Sequence, residues 1–259
     1  MTAAVAALAF ALPLRQRYSA SDLVLPADTF SSTYVLCQTL AALFQHASLA
    51  INSVAGPGVD LSLASRSVSP TVIIASAETM SNLHKTEAAR RTGSLQKLAH
   101  NSQASALAAG NMTRSTFLSR TFSPELASTG TKPGKLRLIL VSERNGTEAP
   151  VLTSRMLNDL RIYTNSRICY ALTVSRVAGT VAQTSLYDYR TDDGRGYGHF
   201  GVPVSSVEIK LINKDDNKVA GNTPTGELVA IGPSVLDGQA RLGFDCRIRE
   251  DSTLAYVRF

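Results

Sequence analysis

The 259-residue sequence has no tryptophan, only three cysteines and only four histidines, and each scarcity removes a class of function. Cys37, Cys169 and Cys246 lie far apart and form no Cys-x-x-Cys pair. Neither a disulfide framework nor a zinc site is indicated, and a reducing compartment fits best. His46, His84, His100 and His199 fall at no recognised metal-ligand spacing and read as satisfied or exposed side chains. No apolar run reaches the roughly 18 residues of a membrane span. Hydrolase chemistry lacks its Gly-x-Ser-x-Gly elbow, and no Gly-x-Gly-x-x-Gly follows a strand as a dinucleotide fold requires. The start of the chain is apolar but lacks the basic region of a secretory leader, since Arg15 and Arg17 follow the apolar stretch instead of preceding it. The sequons Asn111-Met-Thr113 and Asn145-Gly-Thr147 therefore read as chance matches.

What is present is a globular composition. Hydrophobic residues make up 44% and charged residues 18%, which is ample for a buried core and excludes disorder, collagen and coiled coil. Basic residues outnumber acidic ones 26 to 20, a formal charge of +6. Much of that excess lies in a window holding Lys85, Arg90, Arg91, Lys97, Arg114 and Arg120 against Glu87. A solvated helix face explains it, with peripheral contact to an anionic membrane as the functional alternative. Nucleic acid is disfavoured, because no aromatic stacking array accompanies the charge.

Along the chain, strand and helix patterns alternate. Met1 to Leu12 reads as an Ala/Leu helix ended by Pro13, apolar nearly all round and so in need of cover; a domain that begins this way points to a missing upstream part. Strands are expected at Asp22–Pro26, Ser48–Ile51, Pro70–Ala75, Leu136–Val141 and Ser166–Tyr170. Helices are expected at Thr29–His46, around Asp60–Arg66, from an N-cap at Ser76 towards Arg120, and at Leu152–Tyr163. Ser123 to Lys135 reads as a loop. After Gly196 the pattern becomes short strands: Val207–Ile212 pairs with Gly226–Ile231 across a charged turn, Asn213–Asn222, and Thr253–Val257 is the last. This rhythm predicts an α/β fold of two mostly parallel portions, residues 1–135 and 136–200, followed by a small β-rich portion, 201–259.

Three stretches in this order carry a resemblance. Gly198-His-Phe-Gly-Val-Pro203, the strand Val207–Ile212 and Gly226-Glu-Leu-Val-Ala-Ile-Gly-Pro233 form the most specific block; Tyr170-Ala-Leu-Thr173 precedes it, and Leu242-Gly-Phe-Asp-Cys-Arg-Ile-Arg-Glu-Asp-Ser-Thr-Leu254 follows. Together they resemble the large N-terminal domain of the adenylate-forming superfamily, which includes the acyl-CoA synthetases and other AMP-binding ligases. The resemblance implies an incomplete adenylate-forming large domain, with ATP/AMP and Mg2+ as cofactors and a carboxylic acid, such as a fatty acid, and CoA as partners. It implies an intracellular protein, cytoplasmic or peripheral to an organelle membrane. By the same resemblance, Tyr170 stacks on adenine, Ala171 replaces a close-approach glycine, Thr173 contacts phosphate, Asp245 holds ribose if the register slips by one, and Glu227 is structural.

The departures from the pattern are chemical. Val174 stands where the family places its magnesium-binding glutamate, and a valine cannot ligate a hard cation. No phosphate loop ending in lysine precedes the resemblance, and no small domain with a catalytic lysine follows it. Glu143 and Arg144 read as a solvated turn, and Tyr187-Asp-Tyr-Arg190 as a surface excursion with Tyr187 a candidate substrate contact. Two readings follow. One is a partial AMP-binding domain of an acyl-CoA ligase, not catalytically competent by itself; the other is a non-catalytic binding or scaffold protein, a pseudoenzyme that keeps the fold. An uncovered sheet edge predicts poor solubility for the chain expressed alone.

Overall fold

The structure is a computed structural model and describes residues 1–65, 68–112, 136–146, 151–190, 196–213 and 222–257. Seven strands form one sheet: β1 (Leu23–Pro26), β2 (Ser48–Leu49), β3 (Val72–Ser76), β4 (Leu138–Arg144), β5 (Arg167–Thr173), β6 (Ala182–Gln183) and β7 (Val202–Pro203). Their order is β2-β1-β3-β4-β5-β6-β7. The first five strands in that order run parallel, and β6 and β7 are antiparallel. β3 and β4 are fully buried or nearly so along their length. A parallel sheet covered on both faces requires such continuous apolar strands, which is why alternation is absent from Val72-Ile-Ile-Ala and Leu138-Ile-Leu-Val.

The two faces bury different partners. Val72, Ile74, Leu138, Leu140, Cys169 and Ala171 point to one core, which α1 (Thr2–Ala11) and α2 (Thr33–Phe44) complete. Ile73, Ile139, Val141, Ile168, Tyr170 and Leu172 point to the other. There they meet α3 (Leu61–Ala64), α4 (Ala77–Arg90), α6 (Ser154–Thr164) and the second sheet. α5 (Ser94–Ala108) lies outside α6 and buries only Leu107 among its side chains. The Ser76 cap falls where expected, its hydroxyl accepting from the Thr79 N–H; Asp60 also caps α3 through Ser62, and Thr153 caps α6 through Met156. α1 stops before Pro13, as expected.

The second sheet is antiparallel, with β8 (Glu208–Ile212), β9 (Thr225–Ile231), β10 (Gln239–Ile248) and β11 (Leu254–Tyr256) in the order β11-β10-β9-β8. Leu211, Leu228, Ala230, Cys246 and Leu254 dock it onto the first sheet's core. The β8–β9 pair is the expected hairpin. β10, its longest strand, was hidden because Gly243, at φ 77°, and a register shift between Arg241 and Asp245 break its alternation.

The expected fold class is therefore observed: a parallel-rich α/β sheet followed by a small β portion. β3 pairs with β4 across residue 135, so the strands on both sides of that expected boundary belong to one sheet. The expected loop at 123–135, together with Arg114, Arg120 and most of the 213–222 turn, lies outside the described residues. No helix among the described residues is long and apolar enough to cross a membrane.

Two readings need correction. β4 runs on to Arg144, so Glu143 is a buried strand residue and not part of a solvated turn; the turn comes after it, at Gly146 with φ 83°. Asp188 and Tyr189 are also buried, so only Tyr187 and Arg190 of that expected surface stretch are exposed. Arg161, itself buried, donates to the Asp188 carbonyl at 2.9 Å, and the Asp188 carboxylate faces His199 at 3.5 Å and pairs with Arg190 at 2.6 Å. Tyr187 is half exposed and lies under the Arg167 guanidinium.

Candidate functional site

A parallel sheet opens a crevice beyond the carboxyl ends of its strands, because the connecting chains leave in opposite directions there. Such a cleft, of about 340 Å³, lies beyond β4 and β5. Its walls are Ser31, Ser32 and Thr33 at the start of α2, Arg144 and Asn145 after β4, and Thr173, Val174 and Ser175 after β5. Local geometry explains each placement. Ser32 begins α2 without capping it by its side chain, so the helix's first-turn N–H groups are not taken by a capping hydroxyl. Thr33 is fixed by the Gly179 N–H, which donates to its hydroxyl at 3.3 Å. The Thr173 hydroxyl donates to the Glu143 carbonyl at 2.9 Å, tying the ends of β4 and β5 together. Arg144 donates to the buried Asp28 carboxylate at 2.6 Å, which holds the guanidinium beside the cleft.

The chemistry of this lining suits an anion. Hydroxyls, an amide, a guanidinium and a helix N-terminus are all donors, and the macrodipole adds positive potential at the same end. The described walls include no carboxylate, imidazole or thiol. The described walls thus supply serine and threonine hydroxyls but no side-chain general base to activate them. A magnesium ion does not fit either: hard cations take oxygen ligands rich in carboxylate, Val174 presents hydrocarbon, and the nearby Asp28 is committed to Arg144.

The residues expected to act together are separated. Thr173 lines the cleft. Tyr170 lies one turn of the pleat deeper, fully buried, its ring 5.0 Å from that of Phe200 and its hydroxyl donating to Glu143. Ala171 faces the opposite core. Asp245 is exposed on β10, opposite Glu227, and Glu227 pairs with Arg241 on the sheet surface. The structure does not bring Tyr170, Ala171 and Asp245 to the cleft that Thr173 lines.

What was not foreseen is the group behind the cleft. The Glu143 carboxylate accepts from the hydroxyl of Tyr170, whose ring packs on Phe200 and, through it, on Tyr256. Burial pushes the Glu143 carboxyl up to about 7, against the Tyr170 hydrogen bond that works the other way. The signal was available in the Asn145-Gly146 pair, which marks the turn and so extends the strand to Arg144. A second polar cluster lies on the outer side. His84 of α4 and His100 of α5 each place Nε2 on the Asp159 carboxylate, at 3.0 and 2.8 Å, and their rings lie 5.8 and 5.5 Å from that of Tyr163.

Solved structures supply the comparison. The chain is similar to an anthranilate CoA ligase, AuaEII, in complex with anthranoyl-AMP, with a TM-score of 0.60 and 14% identity over 97% of this chain and 42% of that one. It is similar to the O-succinylbenzoate CoA synthetase MenE of Bacillus subtilis with ATP and magnesium, with a TM-score of 0.59 and 14% identity over 99% and 44% of the two chains. The N-terminal subdomain of Klebsiella oxytoca NpsA, in complex with 3-hydroxyanthranilyl-AMSN, superposes at a TM-score of 0.61 and 14% identity, over 99% of this chain and 59% of that one. The chain carries part of the adenylate-forming ligase fold. It spans between 42% and 59% of the length of these structures. No protein-family model and no curated protein matches the sequence.

Proposed function

We propose that this chain is a partial AMP-binding domain of the CoA-ligase kind, which takes the phosphate of an adenine nucleotide in the cleft beyond β4 and β5 without adenylating a carboxylate by itself. One observation carries the reading: a cleft lined by hydroxyls, an amide and a guanidinium, with no carboxylate among its described walls, at the carboxyl edge of the parallel sheet, in a fold whose solved neighbours hold an acyl-adenylate and ATP. Ser32, Thr33 and Ser175 and the first turn of α2 would hold the phosphate, with Arg144 opposing its charge. Thr173 lines the same cleft and would face the phosphate. Tyr170 serves the core instead of an adenine shelf, and Asp245 has no part in this cleft.

Carboxylate adenylation needs charge compensation for the departing pyrophosphate. The walls provide one guanidinium, already paired with Asp28. Binding without turnover follows, and the carboxylic acid and CoA belong to the activity of a complete ligase. A second reading, a scaffold that keeps the fold and binds no nucleotide, is favoured by one feature: the fully buried ring of Tyr170. Calorimetric titration with AMP, together with pyrophosphate exchange over a panel of carboxylic acids, separates the two. Saturable AMP binding without exchange supports the proposal. Robust exchange contradicts it, and absence of AMP binding leaves the scaffold. Ser175 is exposed, so Ser175→Leu is expected to fill the cleft without disturbing the fold and to weaken AMP by at least about tenfold.

A further inference from the structure

The outer face of the α1–α2 pair is apolar where a solvated helix pair would be polar. α2 has two apolar stripes. Tyr34, Val35, Ala41 and Ala42 form the inner one, buried against the sheet. Leu36, Leu40, Leu43 and Phe44 recur at i, i+4, i+7 and i+8 on the outside, and the last three are exposed, Phe44 at 68%. A helix apolar on both sides asks for cover on both. The Gln45 side-chain amide donates to the Ala9 carbonyl at 2.6 Å, which sets the ends of α2 and α1 side by side. Phe10 and Leu14, both more than half exposed, therefore extend the same patch.

The charged side chains on the two segments that carry this patch are all basic. The Arg17 guanidinium sits 4.7 Å from the centre of the Phe10 ring and its Nε donates to the Leu12 carbonyl, while Arg15 is exposed beside it. No aspartate or glutamate occurs in residues 1–21 or 29–59. We infer that the Phe10, Leu14, Leu43 and Phe44 face docks on an anionic lipid surface, its aromatic and aliphatic side chains entering the headgroup boundary and Arg15 and Arg17 meeting lipid phosphates or carboxylates. Apolar side chains with a cationic rim and no acid are what such a surface attracts. A second copy of the chain across a twofold axis is disfavoured by the same charges, since the arginine rim would meet itself with no acid in either segment. The basic window on α4 suits lipid less well. Arg90 and Arg91 are ion-paired with Glu87, and Arg91 lies over the Tyr163 ring, on the opposite side of the sheet.

The test is sedimentation of the full chain with phosphatidylcholine vesicles, with and without phosphatidylserine. Binding to the phosphatidylserine vesicles is expected, about fivefold weaker in Arg15→Gln and at least about tenfold weaker in the Phe10→Ser/Phe44→Ser double variant. Both phenylalanines are exposed, so the thermal melt should hold; if the double variant unfolds, Arg15→Gln and salt dependence decide alone. Absence of vesicle binding, or equal binding by all variants, overturns the inference. So does concentration-dependent self-association that the double variant abolishes while vesicles stay unbound.

Discussion

Replacing Glu143 with glutamine should change the pH dependence of stability more than stability itself. The carboxyl is buried behind the cleft, with the Tyr170 hydroxyl donating to it. Its pKa in the folded protein is about 7, against an ordinary value of 4.5. A raised folded-state value means that the folded chain holds the proton longer than the unfolded chain. The associated stability is therefore complete below about pH 4.5 and is lost as pH rises towards 7. At 1.36 kcal/mol per pH unit this amounts to about 3 kcal/mol, a large part of what a domain has to spare. Glu143→Gln keeps the shape and the Tyr170 acceptor but cannot ionise. Its amide hydrogens lack the partners of a surface site, which costs about 1 kcal/mol at every pH. The variant should match or fall slightly below the wild type at pH 4 and exceed it by about 2 kcal/mol at pH 8. Urea unfolding of both proteins from pH 4 to 8 measures this. Parallel curves across that range would refute the reasoning, because they would mean that Glu143 is as well solvated folded as unfolded.

Three further outcomes rest on other parts of the fold. Gly201 has φ 72°, and a β-carbon there would lie 2.4 Å from the Gln183 carbonyl oxygen, so Gly201→Ala should cost more than about 2 kcal/mol in chemical unfolding. Arg161 is buried and donates to Asn158 and to the carbonyls of Ile168 and Asp188. Arg161→Ala should lower stability by about 3 kcal/mol, through a cavity and two unpaired carbonyls, and should be visible as a fall in the unfolding midpoint. The two histidines hold Asp159 down at about 2 from an ordinary 3.8, despite its burial. A lowered value gives stability that is present above about pH 3.8 and lost as pH falls towards 2. Asp159→Asn should flatten that part of the acid-unfolding curve, and an unchanged acid limb would show that α5 is held by other contacts.

Particular residues show how far the sequence reaches. The Val72–Ser76 and Leu138–Arg144 strands, the Ser76 cap and the β8–β9 hairpin follow from local patterns, because continuous apolar runs, capping hydroxyls and alternation are properties of short segments. β10 was missed because a glycine at positive φ and a register shift erase its period. At the site, the motif marks Tyr170 and Thr173 alike, but only Thr173 lines the cleft and Tyr170 lies in the core. A tyrosine in the middle of a fully buried strand has an inward side chain, and only the pairing of β4 with β5 shows that its hydroxyl meets Glu143. Ser32 and Thr33 come from a helix about 140 residues upstream of Thr173, and that juxtaposition belongs to the sheet order rather than to any local signal.

A crystal structure of the chain soaked with AMP is the most direct test of the central claim. The account predicts phosphate oxygens within about 3 Å of the first-turn N–H groups of α2 and of the Ser175 hydroxyl, with Tyr170 still closed behind Glu143. Nucleotide bound elsewhere, or a cleft that stays empty at saturating AMP, would contradict it.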